Sequence, residues 1–312
     1  MLCLKTCPFC HSLNTVKNGK KQHQQQYYCK SCHRQFIGKS RLSNDQLWLD
    51  YTEGKQTYRQ LALKYNLSIR TIQRRLDRVD IAHSHSQVSL PSATNIIMDT
   101  TYFGRDFGVM VFMDNQTGKV LLYHFVHHET NALYKQGIQR LQAQGMVIHS
   151  ITCDGRRGLL GGFDAILTQM CQFHQQQIIR RYVTKNPKHP AAKELFALCQ
   201  TLTQCNAKQF KQALDTWLMH HCDYLNERSV SEDGARSWYT HKRLRSAYRS
   251  LVNHLPYLFV YHTHPKQIAN TTNKLEGLFS DLKQKLRNHQ GLNKTRKQRF
   301  IESYLKSHQL HE

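Results

Sequence analysis

The sequence predicts an α/β domain that follows two small N-terminal units. Three observations carry this prediction. Two Cys-x-x-Cys pairs lie within the first 32 residues, helix-period apolar residues fill 43–80, and β-rich runs alternate with a helix from residue 95 onward. The predicted parts are 1–40, 41–82, a polar linker at 83–94 and a large domain at 95–312.

The chain carries a large excess of positive charge. Its 312 residues include 44 Lys and Arg against 21 Asp and Glu, a net charge of +23. Because this excess is spread over nearly the whole length, it indicates a polyanionic partner, with nucleic acid the first candidate. A membrane surface is the weaker alternative, since no segment resembles a basic amphipathic anchor and no apolar run could cross a bilayer. No signal peptide is apparent, so we expect a cytoplasmic protein in which disulfides are rare.

Four of the ten cysteines form a pattern typical of a structural zinc site. The pairs are Cys7 with Cys10 and Cys29 with Cys32, and 18 residues separate them. Each pair aims two thiolates at one point, so two pairs supply the tetrahedral ligands that Zn²⁺ prefers. We expect a zinc ribbon, with Cys3 outside it; chance thiols or a redox pair are the alternatives. Its expected elements are a turn at 17–19 and a strand at 26–29.

Residues 43–80 are predicted to form three helices. Ser43 and Gln46 have the spacing of a capping box, Gly54 ends that first helix, and Ser68 is placed to cap the third. Apolar residues recur at helical spacing on both sides of the break at 65–68. The expected apolar positions are Leu61, Ala62, Tyr65, Leu67, Ile69, Ile72, Leu76 and Val79.

The outward face of the third helix is basic and polar. This face is typical of a helix-turn-helix that contacts DNA bases and phosphates. A basic helical hairpin with a solvated face is the alternative. The candidate DNA-binding residues are Arg70, Thr71, Gln73, Arg74, Arg75 and Arg78.

The pattern changes from helix to strand after the linker. β-prone apolar runs at 95–104 and 107–128, with a turn at 115–118, predict three antiparallel strands. A helix at 129–145 leads to a fourth strand at 146–155. This order predicts an α/β arrangement. Three further acids, Asp106, Asp114 and Asp164, are accounted for by turn chemistry.

Two acids lie at predicted strand ends. Asp99 follows apolar residues of the first strand, and Asp154 follows the fourth strand just before Gly155. Strand ends of an α/β sheet are where ligands and metals bind. Glu276, on a later helix, would complete a set of oxygen ligands for divalent ions such as Mg²⁺. The alternatives are turn residues for the two aspartates and, for Glu276, a capping box with Asn273.

Four segments together resemble the DDE transposases of bacterial insertion sequences, and the Mutator-like group most. They are MDTTYFG, TCDGRRGLL, CQFHQQQIIRRY and NTTNKLEGLFSDLKQKLRNHQG. Members of that group carry a Cys-x-x-His motif between the second Asp and the Glu, here Cys171 and His174, and a largely helical insertion after it. In this chain 122 residues separate Asp154 from Glu276, and about 175–265 has a helical pattern. The resemblance covers roughly 95–305.

The resemblance implies an RNase H-like domain that is interrupted by the helical insertion. It implies that Asp99, Asp154 and Glu276 are the catalytic triad and bind Mg²⁺ or Mn²⁺. It also implies that Cys171 and His174 support the active site, with His174 near the scissile phosphate. A buried Cys and His without a role in the site is the alternative.

The function implied is that of a transposase. The N-terminal units would bind the terminal inverted repeats of the element, and the triad would catalyse DNA strand cleavage and strand transfer. Pairing of two DNA ends implies a homo-oligomer, located in a prokaryotic cytoplasm with the nucleoid. Two other functions stay open: a sequence-specific DNA-binding regulator or inactive remnant without catalysis, and an RNase H-like nuclease such as a junction resolvase.

Overall fold

The computed structural model describes residues 5–21, 24–37, 42–79, 92–163, 165–289 and 291–309. The chain forms two compact units, Met1–Asp80 and Ile81–Glu312. Cys3, Asp164 and all but the last three residues of the predicted linker lie outside the described residues. The finer domain boundaries at 40 and 82 stay predictions.

The first unit contains a small antiparallel sheet and three short helices. The strands, in the spatial order β1-β2-β3, are β1 (Thr15–Lys21), β2 (Gln24–Cys29) and β3 (Gln35–Ile37). The helices are α1 (Asn44–Thr52), α2 (Tyr58–Tyr65) and α3 (Ile69–Leu76). The predicted turn at 17–19 is wrong, because these residues lie inside β1. A register shift between Lys17 and Lys20, with Gly19 at φ +69°, forms a bulge there.

The three predicted helices are confirmed, with one change at a cap. Ser43 Oγ accepts the N–H of Gln46 (2.9 Å), and Ser68 Oγ accepts the N–H of Thr71 (3.1 Å). The Gln46 side chain donates to Asp50 instead of returning to Ser43, so Ser43 is a cap without the reciprocal bond of a box. Among the predicted apolar positions Leu61, Ile72, Leu76 and Val79 are buried, whereas Ile69, the first residue of α3, is 45% exposed.

A tight turn at 66–68 joins α2 to α3. Asn66 takes the left-handed conformation (φ 50°, ψ 50°) and donates its N–H to the carbonyls at the end of α2. Asp50 of α1 accepts the Lys64 ammonium (2.6 Å) and the Tyr65 hydroxyl. These bonds hold α1 against α2.

The second unit is built on a five-stranded mixed sheet. Its strands are β4 (Ala93–Tyr102), β5 (Gly108–Asp114), β6 (Val120–Val126), β7 (Val147–Cys153) and β8 (Leu167–Met170). The spatial order is β6-β5-β4-β7-β8, with β4 antiparallel to β5 and parallel to β7. The first four strands confirm the prediction. The short β8 was not predicted, because LTQM is too brief and too polar to give a strand pattern.

Helices cover both faces of this sheet. They include α4 (Asn131–Ala143), which packs on β6, and the C-terminal helices α9 (Asn273–Arg287), which contacts β4, and α10 (Lys294–Ser307). Four apolar residues of α10 are buried: Phe300, Ile301, Tyr304 and Leu305. The hydrophobic core between the sheet and α4 contains Ile96, Met98, Phe112, Tyr134, Ile138 and Leu141.

The segment between β8 and α9 is mainly helical, as predicted. Its helices are α5 (Gln172–Val183), α6 (Pro190–Gln200), α7 (Ala207–Asn226) and α8 (Lys242–Leu258), with 3-10 turns at Thr201–Thr203 and Val260–Thr263. The helical pattern predicted over about 175–265 is interrupted by a hairpin, because Ser237–Tyr239 forms strand β10, which pairs with β9 (Arg228–Val230). In the described part of the chain, no helix is both long and apolar enough to span a membrane.

Two buried glutamines close the base of this helical segment. The Gln169 amide donates to the carbonyl of Leu258 at the end of α8 (2.9 Å), and the Gln172 amide donates to the same carbonyl (2.9 Å) and to that of Leu202 (3.1 Å). Both side chains belong to residues that are 0% exposed. The start and the end of the helical segment are therefore tied to the sheet edge by the same pair of amides.

The two helical glycines Gly137 and Gly277 provide a matched test of the packing between α4 and the sheet. A Cβ at Gly137 would lie 2.1 Å from Cζ of Phe112, whereas nothing lies within 4 Å of a Cβ at Gly277. Gly137→Ala is expected to destabilise the protein by about 1–3 kcal/mol through overpacking. Gly277→Ala is expected to stabilise it by about 0.5–1 kcal/mol. Urea denaturation measures both, and effects of the same sign would contradict this packing.

Candidate active site and zinc site

Asp99 and Asp154 lie side by side at the edge of the sheet. Asp99 is in β4, and Asp154 directly follows β7. The parallel register pairs Ile97 with Thr152, and the same register carried two residues further places Asp99 beside Asp154. β4 continues past Asp99 to Tyr102 before the chain returns as β5 on one side, whereas β7 ends at Cys153 and the chain continues to β8 on the other side. Such a switch point at the carboxyl ends of strands is where α/β sheets bind ligands.

Glu276 approaches this edge from the first turn of α9. The N-cap of α9 is Thr272, which makes no side-chain capping bond, and Asn273 is the first helical residue. Glu276 is therefore one residue too far along the helix for a capping box with Asn273. Its Oε1 lies 3.9 Å from Nε2 of His174, and both side chains are partly exposed.

A series of hydrogen bonds holds the start of α9 against β7 and α5. Thr152 Oγ1 donates to the carbonyl of Ala269 (2.7 Å), and the N–H of Gln172 donates to the carbonyl of Asn270 (2.9 Å). The backbone N–H and the hydroxyl of Thr272 both donate to Sγ of Cys171 (3.4 and 3.5 Å). Cys171 thus fixes the residue from which α9, and with it Glu276, begins.

His174 lies between the carboxylates and the Cys171 thiol. Burial disfavours the charged ring, but the Cys171 sulfur and the charges of Asp99 and Asp154 outweigh it, raising the pKa of His174 to about 9. Its buried Nδ1 has no hydrogen-bond partner among the described residues. The Cys-x-x-His pair is therefore divided in role: Cys171 bonds to Thr272, and His174 faces the acids.

Glu129 is an acid of this site that the sequence interpretation missed. Its carboxylate accepts the Tyr134 hydroxyl (2.8 Å) and lies 3.7 Å from Nη1 of Arg156. Tyr134 also bonds to Thr100, next to Asp99, and Arg156 follows Asp154 by two residues. The available signal was its position just after a strand, the argument already applied to Asp154.

The electrostatics of this cluster fit a bound cation. Burial raises the pKa of Asp99 to about 7, and the charges of Asp154 and Glu129 add to the effect despite the opposing influence of His174 and the Thr100 N–H. The pKa of Glu129 is also raised, first by burial and then by Asp154. Carboxylate oxygens are the ligands that Mg²⁺ prefers. The unbalanced negative charge and the oxygen donors together suit a divalent ion.

The carboxylates are spaced more widely than the thiolates of the zinc site. Within the described ranges, the four cysteines are the only group of three or more His, Cys, Asp or Glu whose ligand atoms all lie within 4.8 Å of one another. By this measure Asp99, Asp154 and Glu276 do not form a compact ligand cluster among the described residues.

The four predicted cysteines converge in the first unit. Sγ of Cys7 lies 3.6 Å from Sγ of Cys32, and Sγ of Cys10 lies 3.5 Å from Sγ of Cys29. Tetrahedral Zn²⁺ with Zn–S bonds of about 2.3 Å requires sulfurs about 3.8 Å apart. The observed separations fit that ion.

The two Cys-x-x-Cys turns have the same backbone shape. The N–H of Cys7 donates to the carbonyl of Ser12, and that of Cys29 donates to the carbonyl of Arg34 (both 2.9 Å). The residue after each pair is left-handed: His11 has φ 55° and His33 has φ 56°. Burial opposes the Cys29 thiolate, but nearby N–H groups and the Cys10 sulfur outweigh it and lower its pKa to about 6, whereas burial and the neighbouring sulfurs raise the pKa of Cys32 to about 12. A thiolate is the form that binds metal.

The candidate DNA-contacting residues of α3 fall into two groups. Arg70, Arg74 and Arg78 are exposed and make no hydrogen bond or ion pair with any described residue. Arg75 is partly buried and donates to the carbonyl of Leu42 (3.1 Å). Thr71 and Gln73 are also partly buried. Arg70 and Arg74 lie four residues apart on one face of α3, whereas Arg78 lies beyond the end of this helix at Leu76.

Loss of one cysteine of the converging set is expected to abolish zinc binding. Cys29→Ser should reduce the zinc content from about one ion per chain to near zero, because a tetrahedral structural site needs all four ligands. Elemental analysis of the purified protein measures this. Cys222→Ser, at a partly exposed thiol outside the set, is the control. Equal zinc content in the two variants would refute the site.

The Cys171 anchor is also testable. Cys171→Ala would leave the buried N–H and hydroxyl of Thr272 without an acceptor and should lower the free energy of unfolding by about 1–3 kcal/mol. Cys199→Ala also removes a buried thiol, but no described residue donates a hydrogen bond to the Cys199 sulfur. This variant should therefore lose less of the free energy of unfolding than Cys171→Ala does. Chemical denaturation compares the two. Equal losses would argue against an anchoring role for Cys171.

Comparison with known proteins gives distant structural similarities. No protein-family model and no curated protein matches the sequence. The Drosophila P element transposase strand transfer complex is similar with a TM-score of 0.42 and 10% identity, over 86% of this chain and 92% of that chain. The simian T-cell lymphotropic virus intasome in complex with PP2A regulatory subunit B56 gamma is similar with a TM-score of 0.21 and 12% identity, over 67% of this chain and 69% of that chain. Similarities this low do not establish a family, so the functional inference rests on the site residues.

Proposed function

We propose that this chain is a DDE-type DNA transposase of a bacterial insertion sequence, similar to the Mutator-like group, with an RNase H-like core. One observation carries the proposal. Parallel strands place Asp99 beside Asp154 at a switch point, and Glu276, distant in sequence, approaches the same edge at 3.9 Å from His174. A metal-dependent reaction at a phosphodiester bond needs such a set of carboxylates in a strongly basic protein.

The residues of the site have distinct roles in this proposal. Asp99, Asp154 and Glu276 would hold two Mg²⁺ or Mn²⁺ ions, which supply activation of the attacking oxygen and stabilisation of the phosphate charge. His174 lies near Glu276 and limits its freedom. Arg156 and Tyr134 fix Glu129 at the rim of the cluster. Most of the rate enhancement would come from positioning.

The first unit supplies recognition in this proposal. The zinc ribbon and the helix-turn-helix would bind the terminal inverted repeats, with the exposed arginines of α3 on the DNA. Cleavage would expose a 3′-hydroxyl, and strand transfer would join it to target DNA. Because two ends must be joined together, the active form would be a homo-oligomer, working on the nucleoid in the cytoplasm of a prokaryote.

Strand transfer in vitro tests the proposed activity. The substrate is a duplex with the sequence that flanks the gene, with Mg²⁺ or Mn²⁺ added. Wild type should nick and join the ends, and Asp154→Asn and Glu276→Gln should each lose joining by at least about 10²-fold because a metal ligand is removed. Asp215→Asn, at an exposed ion pair with Lys211 on α7, is the control and should keep full activity.

Two outcomes would contradict the proposal. If wild type binds the ends but neither nicks nor joins them, the chain is a DNA-binding regulator or an inactive remnant. If branched DNA is cut but no ends are joined, it is a junction-type nuclease. Thermal melting excludes a trivial cause, since Glu276→Gln at a partly exposed position should change stability by no more than about 0.5 kcal/mol.

A further inference from the structure

A long groove in the second unit begins next to the candidate active site. One of its walls is the loop that follows Asp154, from Gly155 to Gly161, and the others are faces of α5 and α8. At the Asp154 end the loop and α8 are in close contact, since a Cβ at Gly155 would lie 3.1 Å from Cε1 of His254. The groove has a volume of about 980 Å³.

The groove continues past this cavity. A second cavity of about 520 Å³ lies next to the first, and Tyr182 and Arg243 line both. On α5, His174 of the candidate active site and Arg181 of the groove lie seven residues apart on one face, about 10 Å along the helix. On α8, the lining runs from Arg243 to Tyr257, about 21 Å. Its ligand is therefore extended.

The charge of the groove indicates an anionic ligand. The first cavity is lined by five arginines, and no acidic residue lines either cavity among the described residues. Arg157, Arg181 and Arg249 are exposed, and their guanidinium groups make no hydrogen bond or ion pair within the described residues. Lys188 and Lys242 continue the positive charge into the second cavity. Free guanidinium groups in a row match successive phosphates.

Aromatic rings accompany the positive charge. Tyr182 and Tyr257 line the first cavity. In the second cavity both faces of the Tyr224 ring are covered, by His189 (3.8 Å between ring centroids) and by His241 (3.6 Å), so Tyr224 itself offers no open face to a base. A basic path interspersed with rings is the arrangement by which proteins bind unpaired nucleotides, since the bases stack on the rings. Duplex DNA keeps its bases stacked internally and offers mainly phosphates.

The position of the groove, its charge and its rings together favour one kind of ligand. A basic path lined by tyrosine rings that begins beside the candidate active site suits an unpaired strand better than a duplex. We propose that the groove binds an unpaired DNA strand that runs from the candidate active site along α5 and α8. The identification of the strand as DNA rests on the proposed function.

Binding measurements with full-length protein test this proposal without catalysis. A labelled single-stranded oligonucleotide and a duplex of the same length are titrated by fluorescence anisotropy, with no divalent ion added. Arg181→Gln should weaken single-strand binding about tenfold and leave duplex binding unchanged. The slope of log K against log salt should fall by about 0.7, because the variant neutralises one phosphate fewer than wild type does.

Arg180→Gln is the matched control. Arg180 is the preceding residue of α5, equally exposed, but it does not line the groove. It should bind single strands as wild type does. Tyr182→Leu should weaken single-strand binding by about tenfold, because a base can no longer stack on the ring, and leave the salt slope unchanged. If Tyr182→Leu fails to fold, the pair of arginine variants decides alone.

Three results would overturn the proposal. Unchanged single-strand binding by Arg181→Gln would mean that the groove is not a nucleic-acid site. Equal losses for single strand and duplex would mean that the groove does not select unpaired DNA. Equal losses for Arg180→Gln and Arg181→Gln would reflect net charge alone. If wild type fails to join strands but Arg181→Gln shows the predicted loss of single-strand binding, the proposed function is refuted while the assignment of the groove as a single-strand site stands.

Discussion

The parallel pairing of β4 with β7 is the constraint on which the candidate site depends. It sets Asp99 and Asp154 side by side at the end of β7, and Glu129 adds a further carboxylate nearby. Gathering like charges in a partly buried place opposes folding. Neighbouring groups partly offset this repulsion. The Arg156 guanidinium and the Tyr134 hydroxyl stabilise the Glu129 carboxylate, and the His174 ring stabilises that of Asp99. The site is thus a region of incompletely balanced negative charge inside a chain whose net charge is +23.

The start of the helix that carries Glu276 is held by hydrogen bonds between uncharged groups. Glu276 belongs to a helix whose first residues are tied to β7 through Thr152, to α5 through Gln172, and to the sulfur of Cys171. None of these contacts neutralises the acids, so the carboxylates stay available to an ion. The Cys-x-x-His motif serves both needs at once. Its first residue bonds to the backbone before Glu276, and its second lies among the side chains of the acids.

Sequence patterns predicted the features that depend on local spacing. Alternating apolar runs predicted β4 to β7, and two Cys-x-x-Cys pairs predicted the convergence of four sulfurs, because each pattern reports a short-range rule. Features that depend on tertiary contacts were missed. The polar residues of β8 are buried by α8 and by the 3-10 turn that follows α8. Glu129 can be assigned to the site only once the fold has brought it close to Asp99. The capping box between Asn273 and Glu276 is excluded by a one-residue shift of the helix start, which sequence alone does not fix.

The glutamine pair at the base of the helical segment has a consequence for how the protein is made. Gln169 and Gln172 bond to a carbonyl at residue 258, so the edge of the sheet is complete only when the helices between have been synthesised and have folded. Domains fold as units, beginning at the N-terminus, as the chain emerges from the ribosome. The first unit is therefore free to fold early, whereas Glu276 emerges more than a hundred residues after Asp154. A nascent chain passes through a long interval in which the first unit has been synthesised and the complete set of acids has not. The order of the segments along the chain therefore delays the assembly of the site until most of the protein has been translated.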